Sequence, residues 1–400
     1  METIKKVRLS KISKLITKGT TPTTIGFEFQ DCGINFLKIE CFDELGNYIP
    51  EKVTHISEEC NEKLKRSKLE TGDILFSIAG AIGRVAIVTD KMLPANTNQA
   101  LAIIRIKDED VYLPYIKLIL TSPIIKKQFE KKKQGVAQLN LSLKDINELE
   151  IPLPNKAKQI EYVELFQKNT NIITHLRTQL EKLDLLVKAR FVEMFGDLAN
   201  PECRWDRCRL IEVCKNNDDI KCGPFGTQLN KDEYVTSGIA IWEIPQINSF
   251  FKSLPTHFLS DEKAKQLQPY SIIPGDIAMS RKGNVGRCAI FPSDFDEGII
   301  HSDVLRIRLD STRANSQFMM CQLHYSGDVQ RQIEQVSSGA IMAGINVTKL
   351  KKISVYIPPI ELQTQFADFV KQVDQSKSIL QQELDKAQTL FDSLMQEYFG

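Results

Sequence analysis

Residues 71–88 read TGDILFSIAGAIGRVAIV, and residues 274–291 read PGDIAMSRKGNVGRCAIF. Nine of these 18 positions are identical at a constant offset of 203: Gly72/Gly275, Asp73/Asp276, Ile74/Ile277, Ser77/Ser280, Gly80/Gly283, Gly83/Gly286, Arg84/Arg287, Ala86/Ala289 and Ile87/Ile290. A period of that length is far beyond the ~20–50 residues of a solenoid repeat and matches the size of a whole domain. The sequence therefore has to fold as two copies of one domain.

The correspondence runs outward from that stretch. A Gly-rich turn lies upstream in each half, GTTPTTIGF at Gly19 and GPFGTQLNKDEYVTSGIAI at Gly223. Downstream, the β-rich run 100–106 answers 304–309, and helical segments 113–133 and 317–336 follow, each with a turn signal inside. Each half then closes on an apolar strand and a proline stop, in 135–154 and 339–359.

Beyond each proline stop the apolar period changes from two to three and four. In 156–195 the seam is Ile160, Val163, Phe166, Ile173, Leu176, Leu180, Leu183, Val187, Phe191 and Met194, with a register shift near Ile173. In 359–399 it is Phe366, Val370, Val373, Leu380, Leu384, Ala387, Phe391, Leu394 and Tyr398. Each predicted helix is ~60 Å long at 1.5 Å per residue, which outruns a domain of ~13 Å radius. An exposed seam would aggregate, so the two helices are expected to pair with each other, antiparallel, in a pseudo-two-fold molecule. Ile173, Leu176, Leu180, Leu183, Val187, Leu380, Leu384, Ala387, Phe391 and Leu394 are the expected coiled-coil interface. The expected fold is α/β (α+β), duplicated. Its domains are 1–152, a central helix 153–198, 199–357, and a C-terminal helix 358–400.

Equipment for chemistry is not visible. There is no glycine-rich dinucleotide or ATP phosphate loop and no Gly-x-Ser-x-Gly, and the five histidines have no metal-ligand spacing. Cys203, Cys208, Cys214 and Cys222 cluster without the tight pairs of a zinc site. Nine cysteines, with no apolar run after the first charges, suit reduced thiols in the cytoplasm, and no segment is long enough to span a membrane. Net charge is +1, divided as +4 (30 basic, 26 acidic) in residues 1–200 and −3 (22 basic, 25 acidic) in 201–400. Any nucleic-acid contact must then come from local patches.

The repeated stretch reads as a turn, a strand, a glycine turn and a second strand, with Gly72, Asp73 and Ile74 as structural core. The tips differ: Ile78-Ala79 against Arg281-Lys282, and Ala81 against Asn284. A kept frame with divergent tips suits two recognition domains for different sequences. On residue type and loop position, the candidate DNA contacts are Thr20, Thr23, Arg84, Asn98, Lys131, Lys132, Lys133 and Gln138 in the first copy. In the second they are Thr227, Gln228, Lys231, Arg281, Lys282, Asn284, Arg287, Ser302 and Asn346.

The ordered duplication of GDI-x-x-S-x-x-G-x-x-G-R, the proline-ended strands, Gln159 and Gln363 near each helix start, and the Phe195-Gly196 and Phe399-Gly400 ends resemble the specificity (S) subunit of type I restriction–modification systems over essentially the whole chain. The resemblance implies a non-catalytic subunit whose two target recognition domains read the halves of a split target on double-stranded DNA. It implies a coiled coil that sets the spacer and docks two methyltransferase (M) subunits. S-adenosylmethionine would then be held by the M subunits, ATP and Mg by restriction (R) subunits, and no cofactor by this chain. The rival expectations are a stand-alone methyltransferase or nuclease with diverged motifs, and a scaffold that does not bind DNA.

Overall fold

The computed structural model describes residues 5–130, 140–196, 203–337 and 344–399. It divides into two compact units. The first comprises residues 1–177 with 382–400, and the second comprises 178–381.

In the first unit, β1 (Lys6–Arg8) pairs antiparallel with β9 (Glu150–Pro152). A four-stranded antiparallel sheet has the order β2 (Ser13–Lys18), β8 (Leu101–Ile106), β5 (Ile74–Ser77), β6 (Val85–Ile87). A smaller sheet has the order β4 (Thr54–Ile56), β3 (Ile34–Leu37), β7 (Ala95–Thr97), with β3 and β7 parallel. The helical stretch of this copy breaks at the anticipated Thr121-Ser122-Pro123 turn into α1 (Leu113–Leu120) and α2 (Pro123–Glu130). Helix α3 (Lys156–Phe195) begins after β9. Strand β5 is buried on both faces, because Ile74 and Phe76 join the core under α1 while Leu75 joins the core under the smaller sheet. That two-sided burial is why the strand reads as an unbroken apolar run rather than an alternating one.

The second unit repeats the plan. Strand β10 (Asp206–Arg209) pairs with β19 (Ser354–Ile357). The main sheet has the order β11 (Ile220–Cys222), β18 (Val304–Ile307), β15 (Ile277–Ser280), β16 (Cys288–Ile290). The second sheet has the order β13 (His257–Leu259), β12 (Ile239–Trp242), β17 (Gly298–Ile300), β14 (Ser271–Ile272). Helices α4 (Ser316–Tyr325) and α5 (Gly327–Ser337) lead to α6 (Ile360–Phe399). The registers are duplicated too, with Ile74 opposite Ile104 in one unit and Ile277 opposite Ile307 in the other.

The repeated aspartate is structural in both copies. Asp73 is fully buried and takes Nε and Nη2 of Arg105 at 2.7 and 2.8 Å, plus the Glu70 N–H at 2.8 Å. Asp276 takes Nε and Nη2 of Arg308 at 2.8 and 2.7 Å, plus the Ile273 N–H at 2.9 Å. Each fork ties the turn before the hairpin to the neighbouring strand, and a buried carboxylate needs such a partner. The repeated glutamine is a second staple. Gln159 accepts the Tyr112 N–H (2.8 Å) and donates to the Pro154 carbonyl (2.8 Å); Gln363 accepts the Asn315 N–H (2.9 Å) and donates to the Pro358 carbonyl (2.7 Å). Each long helix is thus locked at its start to the domain it leaves.

The long helices pair antiparallel within both units. In the first, Tyr162 meets Tyr398 and Phe166 meets Phe391, with ring centroids 4.9 and 5.4 Å apart. In the second, Asp184 pairs with Lys377 at 2.5 Å, Arg190 lies over Phe369, and Phe191 meets Phe366. Ile173 and Val187 are buried, and Leu176, Leu180, Leu183, Leu380, Leu384, Ala387, Phe391 and Leu394 are half-buried. Ile160 is a correction: it is exposed, because the buried Gln159 and half-buried Val163 take the inward positions of that turn. The Phe-Gly ends also have matching tasks. Phe399 packs on Tyr115 of α1 and Phe166, while Phe195 packs on Phe318 of α4 and Phe366.

Two outcomes follow from these contacts. Arg308→Ala leaves Asp276 buried without its fork and lowers stability by about 3–5 kcal/mol, measured by chemical denaturation. Phe399→Ala empties a buried aromatic site at a cost of about 3–5 kcal/mol, read as faster hydrogen exchange of the amides in α1.

Candidate nucleic-acid interface

Four loops converge at one end of the main sheet in each unit. In the first, Gly19 N–H donates to the Asn98 carbonyl at 3.1 Å, and a Cβ on Gly19 would lie 1.8 Å from the Thr97 carbonyl oxygen. Ile78 N–H donates to the Ala100 carbonyl (2.9 Å), and Leu141 N–H donates to the Ile78 carbonyl (3.0 Å). In the second, Gly223 N–H donates to the Val304 carbonyl at 3.1 Å, and a Cβ there would lie 2.2 Å from the Ile300 carbonyl oxygen. Arg281 N–H donates to the Asp303 carbonyl (2.8 Å), and Ile345 N–H donates to the Arg281 carbonyl (3.1 Å). Only glycine permits so close a backbone crossing. The hairpin tips need it too, since Gly80, Gly83, Gly283 and Gly286 have φ of 71°, 88°, 67° and 82°. The glycines of the motif are therefore part of the lattice, and the tips 79–82 and 282–285 sit where it opens.

The side chains at the crossing differ. In the first unit Thr21 Oγ1 donates to Gln99 Oε1. In the second, the Arg281 guanidinium lies 5.2 Å from the Phe225 ring centroid, and its Nε and Nη1 donate to the carbonyls of Ile345 (3.2 Å) and Ser302 (3.4 Å). Lys282 pairs with Asp303 at 2.8 Å, and Asn284 is exposed at the hairpin tip. Thr227 and Gln228 are exposed on the Phe225 loop, Gln228 accepting the Tyr270 hydroxyl at 2.9 Å, and Lys231 is exposed where the next turn starts. Asn346 follows Ile345 and caps a helical turn by accepting the Lys349 N–H. Thr20 is half-buried and Thr23 exposed beside the Thr21–Gln99 contact, and Asn98 takes the Ala100 N–H at 3.2 Å. Lys131, Lys132, Lys133 and Gln138 lie outside the described residues.

Arg84 and Arg287, expected as DNA contacts, are each held by a backbone carbonyl. Arg84 Nη1 donates to the Phe42 carbonyl at 3.1 Å, and Arg287 Nη2 donates to the Asn248 carbonyl at 2.9 Å with the guanidinium over the Phe250 ring. Both are half-buried tethers for a loop that crosses the hairpin. Their identity in the two copies reflects that shared tether. Sequence reasoning missed Phe225, which is 50% exposed. The available signal was a large apolar residue held in Gly-Pro-Phe-Gly.

Cysteine chemistry is quiet. Cys288 Sγ lies 3.2 Å from His324 Nε2, an arrangement that would matter if the thiol ionised. Burial instead pushes the Cys288 thiol up and the His324 imidazole down, opposite to an activated pair. Burial also raises the Cys214 thiol to about 12. Among the described residues no group of three His, Cys, Asp or Glu side chains is placed to hold a metal, and no helix is long and apolar enough to cross a membrane.

A family model, the type I restriction modification DNA specificity domain, matches residues 1–184 and again 205–389. The chain belongs to that family. It is 30% identical over 185 residues to the EcoBI specificity subunit of a type I restriction enzyme from Escherichia coli, a match covering 45% of this chain and 38% of that subunit, just over a third of its length. It is 22% identical over 357 residues to a putative MjaX specificity subunit from Methanocaldococcus jannaschii, covering 86% and 81%. A solved chain from work on the assembly and conformational transition of a type I R-M system shares the fold. There the TM-score is 0.62 at 16% identity, over 99% of this chain and 97% of that one. The two specificity-domain matches fall one on each copy of the repeat.

The neutral His324 yields a pH prediction. Its Nε2 accepts the Cys288 N–H at 3.3 Å, and its pKa lies below the ordinary 6.5. The imidazole's contribution is therefore present above the unfolded value and lost as pH falls below it, by at most about 1.4 kcal/mol per pH unit. In denaturation at pH 7 and pH 5, His324→Gln should show a smaller acid loss than the unaltered chain.

Proposed function

We propose that this chain is the DNA-reading, non-catalytic subunit of a type I restriction–modification complex. Residues 1–152 and 199–357 each read one half of an asymmetric bipartite target on duplex DNA. One observation carries the reading: a duplicated backbone lattice, held by the same glycines, aspartate and arginines, presents different side chains at its open end in each copy. Two recognition surfaces with unequal targets require that arrangement. Affinity comes largely from phosphates and is salt-dependent. Residues 153–198 and 358–400 act as the spacer and as the docking element for two methyltransferase subunits. Those partners hold S-adenosylmethionine and extrude the target base for methylation. ATP and Mg belong to restriction subunits, and the complex works in the reducing cytoplasm that nine free thiols suit.

The purified chain with S-adenosylmethionine and DNA is expected to transfer no methyl group until the partner methyltransferase is added, and the loaded complex then methylates one bipartite motif. Methylation by the chain alone would support the stand-alone enzyme instead. A loaded complex with no sequence preference would support the scaffold.

The spacer has its own test. Removing one heptad from 176–194 together with the facing heptad of 366–384 shortens each helix by about 10 Å, close to three base pairs at ~3.4 Å each. The methylated motif should keep both half-sites and change only the gap between them.

A further inference from the structure

We propose that Arg281 is the base-reading side chain of the second recognition domain, and that it reads a guanine. The inference rests on the DNA-reading role given above and assigns that role to one residue and one base.

The two copies supply an internal control. Arg281 corresponds in the lattice to Ile78, since both donate their backbone N–H across the crossing and both accept one from the returning chain. Ile78 is buried at 3% exposure and completes the first lattice with an apolar side chain. The fold therefore has no need of a cation at this position, and the guanidinium of the second copy is an addition to the frame.

That guanidinium is held on three sides. Nε is fixed by the Ile345 carbonyl, Nη1 by the Ser302 carbonyl, and the Phe225 ring lies 5.2 Å away. Among the described residues Nη2 makes no hydrogen bond. The remaining donors are thus oriented before any ligand arrives, which lowers the ordering cost of binding. A phosphate needs only a nearby charge, and a swinging lysine serves it. A planar fork fixed in direction matches the paired O6 and N7 acceptors of guanine in the major groove. The surroundings agree: Lys282 is offset by Asp303 at 2.8 Å, so this loop is not a general phosphate-attracting patch. Phe225, half exposed beside the fork, supplies a flat apolar wall against which a neighbouring base can lie.

The test uses the chain loaded with its methyltransferase partner and a randomised duplex library, read by sequencing the methylated products at two salt concentrations. The unaltered complex should select a motif with at least one G·C pair in the half-site lost when residues 199–357 are exchanged for another domain. Arg281→Ala, and Arg281→Lys, which keeps the charge and lacks the fork, should each reduce discrimination at one G·C pair of that half-site by roughly tenfold to a hundredfold. The other half-site should be unchanged, and both variants should still unfold cooperatively, at most a few degrees below the unaltered chain for the lost carbonyl contacts. A uniform loss of affinity with a shallower salt slope and an intact motif would make Arg281 a phosphate contact and overturn the inference. So would an unchanged motif, or a half-site without a G·C pair. An unaltered complex with no sequence preference would instead overturn the DNA-reading role itself.

Discussion

A helix of 40 residues with one apolar seam cannot remain single in water, and this chain has two of them. Burial of that seam organises everything else. In the first unit the start of α3 lies against the end of α6, and Tyr115, Phe166, Phe391 and Phe399 close into one cluster. In the second unit the end of α3 lies against the start of α6, and Phe191, Phe195, Phe318 and Phe366 do the same. Each core thus contains aromatic rings from both ends of the repeat. That explains why the chain finishes both helices on Phe-Gly: each phenylalanine fills a hole in a domain core.

The polar residues that recur in both copies anchor the fold. Gln159 and Gln363 are almost fully buried, and each joins a helix start to the turn before it and to the loop ahead of α1 or α4. Asp73 and Asp276 have become acceptors for arginine forks, and Arg84 and Arg287 have become tethers. Buried hydrogen-bonded groups are expensive to change one at a time, because the partner is left unsatisfied. The repeated polar letters are therefore those with partners, and the exposed loop tips are among the positions free to diverge.

The second domain has also replaced apolar packing in places. Arg306 stands where the first copy has Ile103, buried and bound to the carbonyls of Ser271 and Asp218 at 2.7 Å each. Desolvation lowers its pKa below the usual guanidinium range. Such a substitution is tolerated only because two neighbouring segments bring carbonyl oxygens to the guanidinium. The copies share a plan while single core positions have diverged.

The periods of the sequence determined a great deal: the duplication, the strand after each Gly-Asp-Ile, the helix breaks at Ser122 and Ser326, and two long helices with a seam. These are local or one-dimensional properties, set by which residues a strand or a helix turn can present to one side. Tertiary structure alone decided which repeated residues carry load. Arg84 and Arg287 looked like surface cations, and their acceptors are about forty residues away in sequence. Ile160 fits a seam by spacing, yet the buried glutamine beside it takes the inward position. The pairing of Phe225 with Arg281 was equally hidden, because it depends on where two loops cross. A hydrogen bond or a stacked ring is fixed by three-dimensional direction, and sequence spacing records only distance along the chain.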